Sequence, residues 1–235
     1  MSTSAPLPAD QRFLDDIYGR IARRYDLLNH VQSFGLATFV RRTAARIIAA
    51  GVVLDVGAGS GDLARACLRA GARRVICLDR NEGMFREARR KLRDQRTAGK
   101  VFFVIGDVRR LPFKDGVFDG AGSAFVFRNL PAEPGMLGEI GRTLRRGAPV
   151  AVVDMFAPPG GLWGLLYRVY LKVGFPFWGR IVVGHAPAYS YLKTSVLKCF
   201  TAESFAGRLR DAGFIRVGIK PCLGGVTPVV TGRRA

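Results

Sequence analysis

The chain predicts an open α/β fold, a mostly parallel, twisted sheet with helices on both faces. Three observations lead there. Short apolar runs rich in Val, Ile and Leu alternate with stretches of helical periodicity. A glycine-rich turn, Gly57-Ala58-Gly59-Ser60-Gly61, comes directly after the first such run. Carboxylates, Asp79 and Asp107, then fall at the ends of the next two. Strand–helix alternation favours right-handed βαβ units, and such units build a parallel sheet covered on both faces.

The elements follow in order. Residues 1–10 are polar and Pro-bearing and read as a flexible tail, with 11–235 as one domain. A chain of 235 residues can bury one sizeable core but not two large ones. Residues 11–50 form a helical lead-in. Phe13, Ile17, Ile21, Tyr25 and Leu28 recur at spacings of three to four, and a second helical run follows Ser33. Val52–Val56 reads as a buried strand, Asp62–Ala70 as a helix, Val75–Leu78 as a strand and Glu82–Arg96 as a helix. Val101–Ile105 and Phe118–Phe125 are the third and fourth strands, Pro131–Arg145 a helix, and Pro149–Val153 the fifth strand. Residues 158–200 are a helical insertion on the substrate side, with Leu162–Arg180 its apolar, aromatic helix. Ala202–Ala212 is a helix stopped by Gly213. Phe214–Lys220 and Val226–Thr231 close the sheet, the last as a candidate antiparallel strand.

Composition narrows the function. Apolar residues make up 49% and charged residues 23%, so disordered and collagen-like readings are excluded. Lys and Arg number 37 against 18 Asp and Glu, a formal charge of +19. Such a charge attracts anions, whether nucleic acid, an acidic lipid surface or small molecules. It also fits a compositional habit, since the cations are mostly Arg and the amides are few. Cys67, Cys77, Cys199 and Cys222 lack metal-ligand spacing and sit among apolar neighbours, which predicts buried free thiols and no metal site. The polar first residues carry no apolar leader core, and Arg168, Lys172, Pro176 and Arg180 interrupt the most apolar stretch. The expected location is the cytoplasm, on or near the inner face of the membrane.

The turn after the first strand has the spacing G-x-G-x-G, and Asp62 stands where a dinucleotide fingerprint places its last glycine. A carboxylate at that helix N-terminus repels a pyrophosphate and suits a cationic nucleoside, for which S-adenosylmethionine is the natural candidate. Asp79 fits a ribose diol and Asp107 an adenine amino group, at the carboxyl ends of consecutive strands where open α/β sheets bind ligands. The expected cofactor residues are Asp55, Gly57, Ala58, Gly59 and Gly61 in the turn, Asp79 and Arg80 after the second strand, and Asp107 and Val108 after the third.

These residues resemble the Rossmann-like class I methyltransferase fold of S-adenosylmethionine-dependent enzymes. From about Ile17 to Gly232 the chain is similar to one family within it, the ubiquinone/menaquinone biosynthesis C-methyltransferases. The resemblance rests on Ile21-Ala22-Arg23-Arg24-Tyr25-Asp26-Leu27-Leu28-Asn29 with Ser33-Phe34-Gly35, on Leu54–Asp62, and on Asp79-Arg80-Asn81-Glu82-Gly83-Met84. Leu111-Pro112-Phe113, Phe127-Arg128-Asn129-Leu130 and Tyr189-Ser190-Tyr191-Leu192 extend it.

The resemblance implies methylation of a ring carbon of a polyprenylated quinol, with Tyr25, Asn29, Arg128 and Asn129 lining the quinol side. Arg128, Asn129 and Tyr25 are the expected catalytic residues, and Asn29, Phe125 and Val126 the expected substrate contacts. Arg128 is expected to stabilise a developing phenolate while Tyr25 and Asn129 orient the ring. The expected partners are that quinol, an anionic membrane surface and a second copy of the chain, with nucleic acid disfavoured. Departures from the family pattern bear on the quinol. Ala124-Phe125-Val126 stands for Ser-Phe-Gly, Asp154-Met155 for Glu-Phe, and Val230-Thr231-Gly232 for His-Arg-Gly. Val126 is expected to narrow the pocket. Another phenol, a sterol, a phospholipid amine or, less well, RNA stays open as substrate.

Overall fold

A computed structural model describes residues 33, 35–130, 135–157, 160–182, 200–222 and 227–235. The expected tail, the helical segment from Phe13 to Leu28, and the Tyr189–Leu192 motif lie outside the described residues, as does Cys199. The helices are α1 (Leu36–Ile48), α2 (Asp62–Arg69), α3 (Glu82–Lys91), α4 (Arg93–Thr97), α5 (Gly135–Thr143), α6 (Gly161–Val182) and α7 (Ala202–Asp211). The strands are β1 (Val52–Val56), β2 (Arg74–Asp79), β3 (Val101–Ile105), β4 (Gly120–Ala124), β5 (Pro149–Val153), β6 (Phe214–Lys220) and β7 (Val229–Arg234).

The seven strands form one sheet in the order β3-β2-β1-β4-β5-β7-β6. The first five strands are parallel, and β7 runs antiparallel to β5 and to β6. The β1 sequence VVLDV shows why the sheet is two-sided, because alternate residues enter different cores. Leu54 and Val56 join a cluster with Ile140, Phe205 and Leu209, which lie on α5 and α7. Val53 joins the opposite cluster with Val40, Ala44, Leu63, Ala64 and Phe85 from α1, α2 and α3. The parallel strands read as continuous apolar runs because both faces are covered.

The caps are local. The Asn81 side chain accepts the Met84 N–H at 3.0 Å and starts α3. Thr201 does the same for α7 through the Ser204 N–H at 3.1 Å. Where boundaries differ from the sequence reading, packing explains it. The helix expected over Glu82–Arg96 breaks at Leu92, whose side chain is fully buried against Gly61. The fourth strand starts later than expected, at Gly120. Phe118 bridges Leu144 instead, and the Asp119 carboxylate accepts the Val52 N–H at 2.7 Å. That strand ends early because Phe125 adopts a left-handed backbone, φ 66°. The last strand begins only after Pro228, which has no N–H to give a ladder, and runs on to Arg234.

Candidate active site

The parallel strands β1, β2 and β4 end on one edge of the sheet, and a cavity of about 150 Å³ opens there. Its wall is built from the turn after β1. The N–H groups of Gly57 and Ala58 donate to the Leu78 carbonyl at 2.8 and 3.0 Å, tying the turn to β2. Gly57 has φ 67°, and a Cβ on it would lie 2.5 Å from a Val126 methyl. Only glycine satisfies both the angle and the contact. Asp79 closes the wall on the other side. One of its oxygens accepts the Gly59 N–H and the other the Asn81 N–H, each at 2.8 Å. A carboxylate keeps further lone pairs beyond those two bonds.

Asp55 forms part of the floor. It is 1% exposed, and its Oδ2 has no hydrogen-bond partner among the described residues. Burial, reinforced by Asp79 and Asp62 and offset by a backbone hydrogen bond and Arg41, pushes its pKa up to about 7. Asp62, in contrast, is already balanced. Lys91 Nζ approaches its carboxylate at 2.7 Å, Arg65 at 3.3 Å and Arg41 at 3.8 Å. Burial works against its charge, but Arg41, Lys91 and Arg65 outweigh it and hold the carboxyl below the usual range. The negative charge that the sequence reading gives to Asp62 is thus neutralised inside the protein, and the uncompensated acid on the floor is Asp55.

Most of the expected residues meet on this cavity. Asp55, Gly57, Ala58 and Gly59 line it with Asp79 and Arg80, and Asp107 and Val108 extend it beyond β3. Phe125, Val126 and Asn129 form its opposite side. Asp107 is gripped by Arg109, whose Nε lies 3.0 Å from Oδ2. That hydrogen bond is the main cause of a pKa below the usual carboxylate range. Gly61 is off the wall, packed on Leu92 as the left-handed residue before α2. Arg128 is also off the wall. It is buried, and its Nη1 meets the equally buried Asp154 at 2.8 Å while its backbone N–H donates to the same carboxylate at 3.0 Å. Tyr25 and Asn29 lie outside the described residues.

Several lining residues escape the sequence reading, among them Asn81, Met84, Arg109 and Leu130, and the most consequential is Arg41. Arg41 of α1 sits on the wall, with its guanidinium 4.8 Å above the Phe125 ring. A signal for it exists, because Arg41 interrupts the apolar stripe Ala37, Val40, Ala44, Ala45, Ile48 at a position that spacing assigns to the core. Three thiols are as expected: Cys67, Cys77 and Cys222 are free and buried.

A glycine turn after β1, an acid at the end of β2 and another after β3, and an antiparallel seventh strand between β5 and β6 define the class I S-adenosylmethionine-dependent methyltransferases. The fold is similar to that of an S-adenosylmethionine-dependent methyltransferase from Thermotoga maritima. That match has a TM-score of 0.66 at 20% identity, over 94% of this chain and 99% of that one. It is also similar to that of the [4+2]-cyclase SpnF, with a TM-score of 0.70 at 16% identity over 97% and 98% of the two chains.

The chain belongs to the ubiE/COQ5 methyltransferase family, whose model matches residues 8–234. The demethylmenaquinone methyltransferase of Thermotoga maritima is 34% identical over 221 residues, covering 92% of this chain and 93% of the relative. That of Thermus thermophilus is 38% identical over 202 residues, covering 84% and 91%. The ubiquinone/menaquinone biosynthesis C-methyltransferase of Rhizobium johnstonii is 30% identical over 229 residues, covering 94% and 89%. The chain is an S-adenosylmethionine-dependent methyltransferase.

The residues present fit that cofactor. The buried, orphaned Asp55 oxygen suits an ammonium group. Gly57, Ala58 and Gly59 bring main chain to the cavity wall, and the Asp79 carboxylate has acceptor capacity left for a ribose diol.

Proposed function

We propose that this enzyme methylates a ring carbon of a polyprenylated quinol of the demethylmenaquinol type. The observation that carries the reading is the placement of the Phe125-Val126-Phe127-Arg128-Asn129 turn. Its Phe125, Val126 and Asn129 line the same cavity as the glycine turn, in a chain whose relatives at 34% and 38% identity bear the demethylmenaquinone methyltransferase name. Bound S-adenosylmethionine supplies an electrophilic methyl group on a sulfonium. The ring carbon that takes it must be electron-rich, which the hydroxyl of a reduced quinol provides and a quinone does not. Phe125 and Val126 hold the flat ring against the wall and exclude water. The Asn129 side chain hydrogen-bonds a ring oxygen. Arg128 is a positioning residue. Its ion pair with Asp154 fixes the 3-10 turn Phe127–Asn129 and so aims Asn129. Tyr25 and Asn29 complete the ring contacts, as the family resemblance implies.

The test offers labelled S-adenosylmethionine to a reduced mixture of demethylated quinols and bulk RNA, followed by organic extraction. The expected result is label in the organic phase that disappears when the quinols are oxidised beforehand. Label in the RNA, or none in either phase, would overturn the reading.

A polyprenyl substrate resides in a bilayer, and among the described residues no helix is long and apolar enough to cross one. The enzyme therefore docks on the membrane face. Helix α6 carries a stripe, Leu162, Leu165, Leu166, Val169 and Val173, at helical spacing and exposed, with exposed Arg168 and Lys172 beside it. Apolar insertion with cations at headgroup level, backed by a charge of +19, fits an anionic leaflet. The second copy of the chain expected from the sequence is measured separately, by sedimentation of lipid-free protein.

A further inference from the structure

Arg41 is 7% exposed and lies in the apolar stripe by which α1 packs on the sheet. Burying a guanidinium is costly unless something requires the charge. Its protein partners account for part of it only, the ion pair with Asp62 acting at long range. The Asp62 carboxylate is 3.8 Å away, too far for a hydrogen bond, and Lys91 and Arg65 already bind that carboxylate more closely. The Phe125 ring offers only its face, at 4.8 Å. Among the described residues the guanidinium has no hydrogen-bond acceptor of its own, although it carries five donors in a rigid fork.

The location supplies the missing acceptor. Arg41 lines the cavity together with Asp55, Gly57 and Gly59, and it acts electrostatically on Asp55. The other cations on this wall, Arg80 and Arg109, stand past β2 and β3 beside Asp79 and Asp107, where the nucleoside fits, and Arg109 is clamped to Asp107. The amino-acid arm of S-adenosylmethionine therefore falls at the Asp55–Arg41 end. That arm is a zwitterion. Its ammonium is matched by the orphaned Asp55 oxygen, and its carboxylate needs a cationic fork.

We propose that Arg41 binds the α-carboxylate of S-adenosylmethionine, so that helix α1 makes the enzyme reject nucleosides that lack it. The inference rests on the cofactor assignment. It makes Arg41 a cofactor-discriminating residue, distinct from the glycine turn.

The experiment is calorimetric binding of S-adenosylhomocysteine, decarboxylated S-adenosylmethionine and methylthioadenosine to the wild type, Arg41→Gln and Arg41→Lys. The wild type should prefer the carboxylate-bearing ligand over the decarboxylated one by about 10- to 100-fold, the range for a charge-assisted hydrogen bond. Arg41→Gln should lose about that factor for S-adenosylhomocysteine and little for the other two ligands, and Arg41→Lys should recover part of it. Equal losses for all three ligands would make Arg41 merely structural and overturn the proposal. So would a wild type that ignores the carboxylate. A wild type that binds none of the three would instead bring down the cofactor assignment itself. If Arg41→Gln does not fold, Arg41→Lys gives the same comparison, since a point charge in place of the planar fork should weaken only the carboxylate-bearing ligand.

Discussion

Asp55 makes the ligand-free enzyme and its complex respond oppositely to pH. The carboxyl has an ordinary value of 3.8 and is lifted, chiefly by burial, to about 7. Between those values the folded protein holds a proton that the unfolded chain has lost. Stability is therefore greatest at low pH by this group's account and falls as the pH rises through 7. Asp55→Asn should raise Tm at pH 8 and leave it unchanged at pH 4, by thermal melts of the ligand-free protein. An ammonium group beside Asp55 favours the ionised form, so cofactor binding at pH 6 should release about one proton from it. Calorimetry in two buffers of different ionisation enthalpy reads this directly, and the buffer dependence should vanish in Asp55→Asn. Arg128 tests differently. Removing it strands the buried Asp154, at a cost of about 3–5 kcal/mol on denaturant unfolding. Arg128→Met with Asp154→Asn should recover most of that stability while turnover stays low. Restored turnover in the double variant would limit Arg128 to holding the fold.

At the scale of elements, the turn after β1 and the turn after β4 are one packed unit. Val126 fills the space above Gly57 and also lines the cavity, so the residue that departs from the family's glycine packs on the cofactor turn. Gly57→Ala should weaken cofactor affinity at least about tenfold, from the positive φ alone, which costs roughly 1–2 kcal/mol for an L residue. Adding Val126→Gly should recover the steric part and leave the conformational part, so the double-mutant cycle should show coupling. Additive losses would mean that the two turns do not press on each other. Phe125 belongs to the same unit. Its left-handed backbone is held by the N–H bond to the Val153 carbonyl at 2.8 Å and by a ring lying between Arg41 at 4.8 Å and Arg128 at 5.7 Å. The two turns thus link the cofactor side of the cavity to the side proposed for the quinol.

For the whole molecule, the fold by itself does not name a reaction, since a cyclase and methyltransferases share it at comparable TM-scores. The surface carries the remaining specificity. If α6 docks on an anionic leaflet, the protein should float with vesicles containing phosphatidylglycerol and not with pure phosphatidylcholine. Leu165→Glu with Val169→Glu should abolish flotation without changing turnover of a short-tailed, water-soluble quinol. Binding should also weaken as salt shortens the Debye length from about 10 Å at 0.1 M to about 3 Å at 1 M. Flotation that is indifferent to lipid charge would reduce the +19 to a compositional habit.

The sequence by itself determined the order of strands and helices, the glycine turn and the acids after β2 and β3. These are local matters, written in apolar period, in glycine at positive φ and in short-range caps such as Asn81 and Thr201. It also carried the family resemblance, because motifs such as Phe127-Arg128-Asn129-Leu130 are contiguous. Tertiary structure alone decided which charges are spent and which remain. Asp62 is balanced by Lys91, 29 residues away along the chain, with Arg41 at longer range, and Arg128 by Asp154, 26 residues away, while an Asp55 oxygen is left without a hydrogen-bond partner and Arg41 lines the cavity beside it. Charge balance depends on distances through space that residue type and spacing do not encode. The break of α3 at Leu92 and the left-handed Phe125 have the same origin, for each packs against a distant element, Leu92 on Gly61 and Phe125 on Arg41 and the Val153 carbonyl.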